Sequence, residues 1–164
     1  MSNSAVISIF SREVLDDIRS AAWLESEIHP ECNRHRRHEM ADICEPCNVE
    51  RVWRILDICD AEVRMALRQV ILADRAGDQL NELNEIGCRF YILRDPPTQN
   101  VVGFLKEKIH EYFVASVMAD RTAVIIPESL PPWEERKKEA LAAITAYAST
   151  ASLYALHFRP LSPL

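Results

Sequence analysis

Six residues in one short stretch carry side chains suited to binding a metal: His29, Cys32, His35, His38, Cys44 and Cys47. Cys32-x2-His35 is followed, after eight residues, by Cys44-x2-Cys47. Tetrahedral zinc favours this arrangement. Each close pair supplies two soft or borderline donors from one turn, and the loop between them brings the pairs together. Cys32, His35, Cys44 and Cys47 are therefore the candidate ligands of a structural zinc, with His29 and His38 as substitutes. The competing reading has no metal and no cofactor. In it Cys44 and Cys47 are small buried residues, and the histidines lie on a solvated basic turn. Residues 36–43 read as helix rather than knuckle, no glycine helps either pair to turn, and the spacing is shorter than in common zinc fingers. These features favour the metal-free reading. A dithiol redox role for Cys44-x2-Cys47 is the third reading.

Other reactive patterns are thinner. His38-Glu39-Met40-Ala41-Asp42 lacks the second histidine of H-E-x-x-H. G-x-S-x-G, P-loop and G-x-G-x-x-G patterns do not occur, and three glycines in 164 residues leave little for a phosphate-cradling loop. Asp57, Asp60 and Glu62 can in principle do acid–base work. Alternating with Arg51, Arg54 and Arg64 at helical spacing, they read instead as surface ion pairs. The expectation is a protein with no catalytic residues, not an enzyme. The run Arg34-His35-Arg36-Arg37-His38 can meet DNA phosphates or an acidic protein. In a chain of net charge −6, an acidic protein partner fits it at least as well. Sequence-specific nucleic-acid binding is not expected.

The elements that must position these groups read mostly as helices. Ser11 caps a helix running to about Ile28, with Phe10 and Leu15 at the staple positions and Leu15, Ile18, Ala22 and Trp23 on its buried side. His29-Pro30 ends it. Asn48 caps the longest helix, over 49–76, where Val52, Trp53, Leu56, Cys59, Val63, Leu67, Val70 and Ile71 recur at steps of three or four. Ile55, Ile58, Met65 and Leu72 widen that stripe, and Gly77 ends it. Residues 78–86 suit a short helix, residues 88–93 a strand, and residues 95–97 a turn. Val101, Leu105, Ile109, Tyr112, Phe113 and Val117 mark a second long helix closed at Asp120-Arg121. Residues 122–126 read as a short buried strand. Pro131-Pro132 opens a last helix, with Glu134 and Glu135 in its first turn and Leu141, Ile144, Tyr147 and Ala148 on its apolar face.

From Ser152 the chain alternates, placing Tyr154, Leu156 and Phe158 on one side of an extended C-terminal arm. These three are the candidate partner-binding residues. The fold expected is mainly α: one domain over 1–164, a bundle around two long helices, two or three short strands, a His/Cys-rich insert at 29–47 and an extended arm at 152–164. So few strands rarely form a stable sheet alone, so pairing with a neighbouring subunit is an open alternative.

No apolar run approaches the roughly 20 residues that span a bilayer, and the first residues lack the basic and apolar regions of a secretory leader. Five cysteines, an odd number, fit free thiols in a reducing cytoplasm. Val49-Glu50-Arg51 opening a long helix, then proline, then a helix over 104–118, then Pro132 and a shorter closing helix, together resemble the small helical head–tail connector (adaptor) proteins of tailed bacteriophages. The resemblance is one of element order and covers about residues 49–148, leaving out the His/Cys island. It implies a structural virion protein assembled in the bacterial cytoplasm. It also implies a homo-oligomeric ring that meets a portal or tail protein, with no catalytic residues and no membrane. The alternative function is a small cytoplasmic zinc-stabilised protein-binding module using the 29–47 island. An enzyme of unrecognised type is the remaining reading.

Overall fold

The computed structural model describes residues 4–29, 33–72, 87–94 and 98–157, with backbone only for 152–157. In chain order these form β1 (Ser4–Phe10), α1 (Ser11–Ile28), α2 (Arg34–Ala41), α3 (Val49–Leu67), β2 (Cys88–Arg94), α4 (Gln99–Ile125), a 3-10 turn (Pro127–Ser129) and α5 (Leu130–His157). The protein is mainly helical, with a small antiparallel sheet.

α4 is the element the others pack around. The Thr98 side chain caps it by accepting from the backbone N–H of Val101. Every residue from Tyr112 to Ala119 is buried, as expected of a helix that is apolar all round and enclosed by neighbours. α5 runs against it, and α1, α3, β1 and α2 cover its other faces. Val14, Ile18 and Ala22 of α1, Leu56, Val63 and Leu67 of α3, and Ile144 and Ala148 of α5 join the same core.

β1 and β2 pair with Ser4 opposite Arg94, Ile7 opposite Tyr91 and Phe10 opposite Cys88. On the far side of β2, Ile71 bridges to Leu93. There the Leu72 N–H donates to the Ile92 carbonyl at 2.9 Å, and the Arg94 N–H to the Val70 carbonyl at 2.8 Å. β2 is thus paired on both sides, and among the described residues β1 is outermost. Side chains alternate along a strand, so Ile7, Ile9, Tyr91 and Leu93 enter the core while Val6, Phe10, Phe90 and Ile92 share the other face. Gly87 fixes the corner where β2 begins. Its φ is +61°, and a Cβ there would lie 3.2 Å from the Ser11 Cβ. Its carbonyl accepts the Ser11 N–H at 2.7 Å, so only glycine combines that backbone with so close a neighbour.

Several expectations need correction. Residues 120–125 continue α4, and 122–125 form no strand. The Thr122 Oγ1 donates back to the Met118 carbonyl at 2.7 Å, and the buried surroundings override the strand preference of a β-branched run. Ile126 is where the helix stops, because the following Pro127 forces it out of helical geometry, at φ −134° and ψ 74°. α3 ends at Leu67 rather than near residue 76 and is shorter than α4 and α5. Val70 and Ile71 leave it to join the sheet edge. Gly77 and residues 78–86 and 95–97 lie outside the described residues. Asn48 sits at the start of α3 without a side-chain capping bond; its amide donates instead to the Asp42 carbonyl at 3.0 Å. Phe10, not Ser11, holds the N-cap position of α1. The strand that pairs with β2 is residues 4–10, a segment to which the sequence assigns no strand. α5 continues to His157, so residues 152–157 are helical rather than extended.

Candidate functional site

The His/Cys island is built on α2 and the turns after it. Asn33 caps α2, its side chain accepting from the Arg36 N–H at 2.9 Å. His35 is exposed on α2, Cys47 is exposed beyond it, and Cys44 is buried with its sulfur 4.0 Å from the Leu15 carbonyl oxygen. Burial pushes the Cys44 thiol up to about 11. Cys32 lies outside the described residues. Among the described residues no three His, Cys, Asp or Glu side chains gather where they can hold a metal.

Two of the three arginines in the basic run serve the fold. Arg36 Nε donates to the Ile125 carbonyl at 2.6 Å and Arg37 Nε to the Ser26 carbonyl at 2.7 Å. Each places a cation at the negative end of a helix, α4 and α1 respectively. Arg34 Nε donates to His38 Nε2 at 3.3 Å.

A serine, a histidine and a glutamate meet where α1 ends and α5 begins. Ser129 Oγ lies 2.5 Å from Glu25 Oε2 and 2.5 Å from His29 Nε2, and Trp133 Nε1 donates to Glu25 Oε1 at 2.8 Å. The three residue types are those of a hydrolase triad, but the order differs. A triad needs an unprotonated imidazole nitrogen to take the serine proton. Here the one hydroxyl hydrogen goes to Glu25, so Oγ accepts from His29 Nε2–H. Ser129 is also buried. The cluster clamps the start of α5 to the end of α1. Sequence reasoning missed it because Glu25 and Ser129 are 104 residues apart; the only local signal is His29 beside the helix-ending Pro30.

A second polar seam joins α3 to β2 and α4. The Tyr91 hydroxyl donates to Asp60 Oδ1 at 2.5 Å, and Arg64 Nε donates to Asp60 Oδ2 at 3.0 Å. The Arg64 guanidinium also lies over the Tyr91 ring, 4.8 Å from its centroid. The Tyr112 hydroxyl donates to Glu62 Oε2. Arg89 reaches Asp57 Oδ1 at 2.8 Å and the Ser11 hydroxyl at 3.0 Å. Of the ion pairs expected among Asp57, Asp60, Glu62, Arg51, Arg54 and Arg64, Asp60–Arg64 forms, whereas Arg51 pairs with Asp120 and Arg54 with Glu50. Asp57, Asp60 and Glu62 do not converge on one reactive centre; each bonds a different neighbour. Burial, followed by the nearby Asp60 charge, pushes the Tyr91 phenol well up, and burial pushes Tyr112 up as well.

Comparisons with protein-family models, characterised proteins and solved structures find no match.

No helix among the described residues is long and apolar enough to cross a membrane. Among the described residues, exposed apolar side chains group on α1 and on the sheet, and others, such as Ile58 and Met65 of α3, are exposed elsewhere. On α1, Trp23, Leu24 and Ile28 are 60%, 52% and 55% exposed, which corrects the expectation that Trp23 faces the core. On the sheet, Val6 and Phe10 of β1 are 51% and 39% exposed. Of the expected partner-binding residues, Tyr154 and Leu156 lie on α5. A helical backbone there removes the two-residue alternation that put them on one side. Phe158 lies outside the described residues.

Proposed function

We propose that this chain is a structural assembly protein. In this reading it is a head–tail connector or neck component that forms a homo-oligomeric ring in a virion, is assembled in the bacterial cytoplasm, and meets a portal or tail protein. One observation carries the reading. Among the described residues β1 is a seven-residue outermost strand, SAVISIF, with no charge, proline or glycine. Proteins that stay monomeric blunt such edges with lysine, proline or a bulge; this one keeps a flat, uncharged edge beside outward Val6 and Phe10. A strand or extended segment of a neighbouring copy can add to it through main-chain hydrogen bonds. A contact of that head-to-tail kind, repeated with a rotation that closes, makes a ring. The order of helices over residues 49–148 supports the same reading, although the closing helix, at 28 residues, is longer than the 19-residue α3 rather than shorter.

Sedimentation of the purified chain tests it. The expected result is a species several times the 18.8 kDa of one chain. Val6→Lys puts a charge on the exposed edge and should release a monomer of unchanged helicity. A wild-type chain that stays at 18.8 kDa at every concentration, and does not associate with a portal ring, would overturn the proposal.

A further inference from the structure

The second apolar patch points to a partner of different chemistry. α1 and α2 leave between them a groove of about 590 Å³, lined by Trp23, Ser26, Glu27, Arg34, Arg37 and His38. A shallower depression beside it is lined by Arg19, Ser20, Trp23 and Leu24. Trp23 is common to both, so the two form one surface along α1 from Arg19 to Ile28, a run of about 15 Å at helical rise. Its centre is apolar: Trp23, Leu24 and Ile28. Its rim is predominantly cationic: Arg19, Arg34 and Arg37, with His38 beside them and, among the described residues, Glu27 as the one acid of the lining.

This is the anatomy of a protein interface, with an aromatic anchor, an apolar centre and arginine at the rim. We infer that this face docks an acidic amphipathic segment of a partner protein. Charge selects the partner. The nearby acids are already engaged, Glu27 with Arg37 at 3.1 Å and Asp16 with Arg19 at 3.1 Å. Such exposed pairs are weak and exchange readily with an incoming carboxylate. The bond from Arg34 goes to an imidazole, which leaves its charge uncompensated by that contact. The apolar centre then selects protein over nucleic acid, because phosphate backbone gives Leu24 and Ile28 nothing to bury against. The chain's net charge of −6 also opposes approach of DNA. This inference is independent of the ring proposal, since it uses neither β1 nor self-association.

The test uses the full chain and three probes: a helical peptide with Leu on one face and Glu on the other, the same peptide with Lys for Glu, and duplex DNA. Tryptophan emission reports docking, because Trp23 is exposed whereas Trp53 is half-buried and Trp133 buried. The Glu peptide should shift the emission to the blue, with an affinity that falls as salt is added. Trp23→Phe should remove the shift. Arg34→Glu, at an exposed position, should weaken binding about tenfold while leaving the circular dichroism unchanged. No binding of the Glu peptide, equal or tighter binding of the Lys peptide or DNA, or an affinity indifferent to Arg34→Glu would each overturn the inference.

Discussion

At the scale of single residues, the protein spends its buried polar groups on joining elements. Tyr91 and Tyr112 each donate a phenolic hydrogen to a carboxylate of α3, and a hydrogen bond to a charged group contributes about 1.5–3 kcal/mol. Tyr91→Phe should therefore lower the unfolding free energy by about that amount, measured by urea denaturation. The same bonds set a response to alkali. Both phenols have folded-state values raised above the ordinary one of about 10. Their stabilisation is complete below that value and is lost as pH rises from it towards the folded-state values, because the unfolded chain releases its phenolic protons first. Stability should fall above about pH 10, and part of that fall should vanish in Tyr91→Phe. A phenolate absorbance that rises well before helicity is lost would contradict this order of events.

At the scale of elements, α3 shows how periodicity locates a face and where it overreaches. Leu56, Val63 and Leu67 are fully buried, as expected, Trp53 is only half-buried rather than buried, and Ile58 and Met65 point to solvent. The two sets sit on opposite sides of the same helix, about 100° per residue apart. Leu56→Ala should cost about 2–5 kcal/mol through lost burial and the cavity left behind. Ile58→Ala should change stability by less than about 0.5 kcal/mol, as is usual at a surface position. Similar losses at the two sites would mean that α3 is rotated from the arrangement described. In an oligomer, a loss confined to high protein concentration at Ile58 would instead place that residue in an interface.

At the scale of the whole molecule, the question is what fixes the α2 layer to the rest. Met40, Ile43 and Cys44 enter the common core, and Arg36 and Arg37 bond the carbonyl ends of α4 and α1. These contacts need no metal. Stoichiometric zinc would require Cys44 to leave its buried place beside Leu15. A chelator should leave the melting temperature unchanged, and metal analysis of protein purified without chelator should find well under one zinc per chain. One zinc per chain, with a melt lowered by chelation, would restore the Cys32, His35, Cys44 and Cys47 set and make metal affinity part of the folding free energy.

The sequence by itself determined the helical class, the end of α1 before His29-Pro30, the strand at 88–93, the opening of α5 at its prolines and most of the buried rows of α3 and α4. Those features are local. They follow from side-chain period and from what proline and glycine do to the backbone. Only the tertiary structure decided that 122–125 stay helical, that residues 4–10 are the strand facing β2, and that α3 stops at Leu67. In each case burial by distant elements, or a pairing partner far along the chain, outweighs the local preference. The same holds for the polar clusters. Glu25 meets Ser129, Asp60 meets Tyr91 and Glu62 meets Tyr112 across loops that carry no signature of their own. The exposed patch on α1 was hidden for a related reason. A run of apolar residues states how much surface wants cover, and only the packing of α1 against α2, α4 and β1 shows which part of it the chain leaves uncovered.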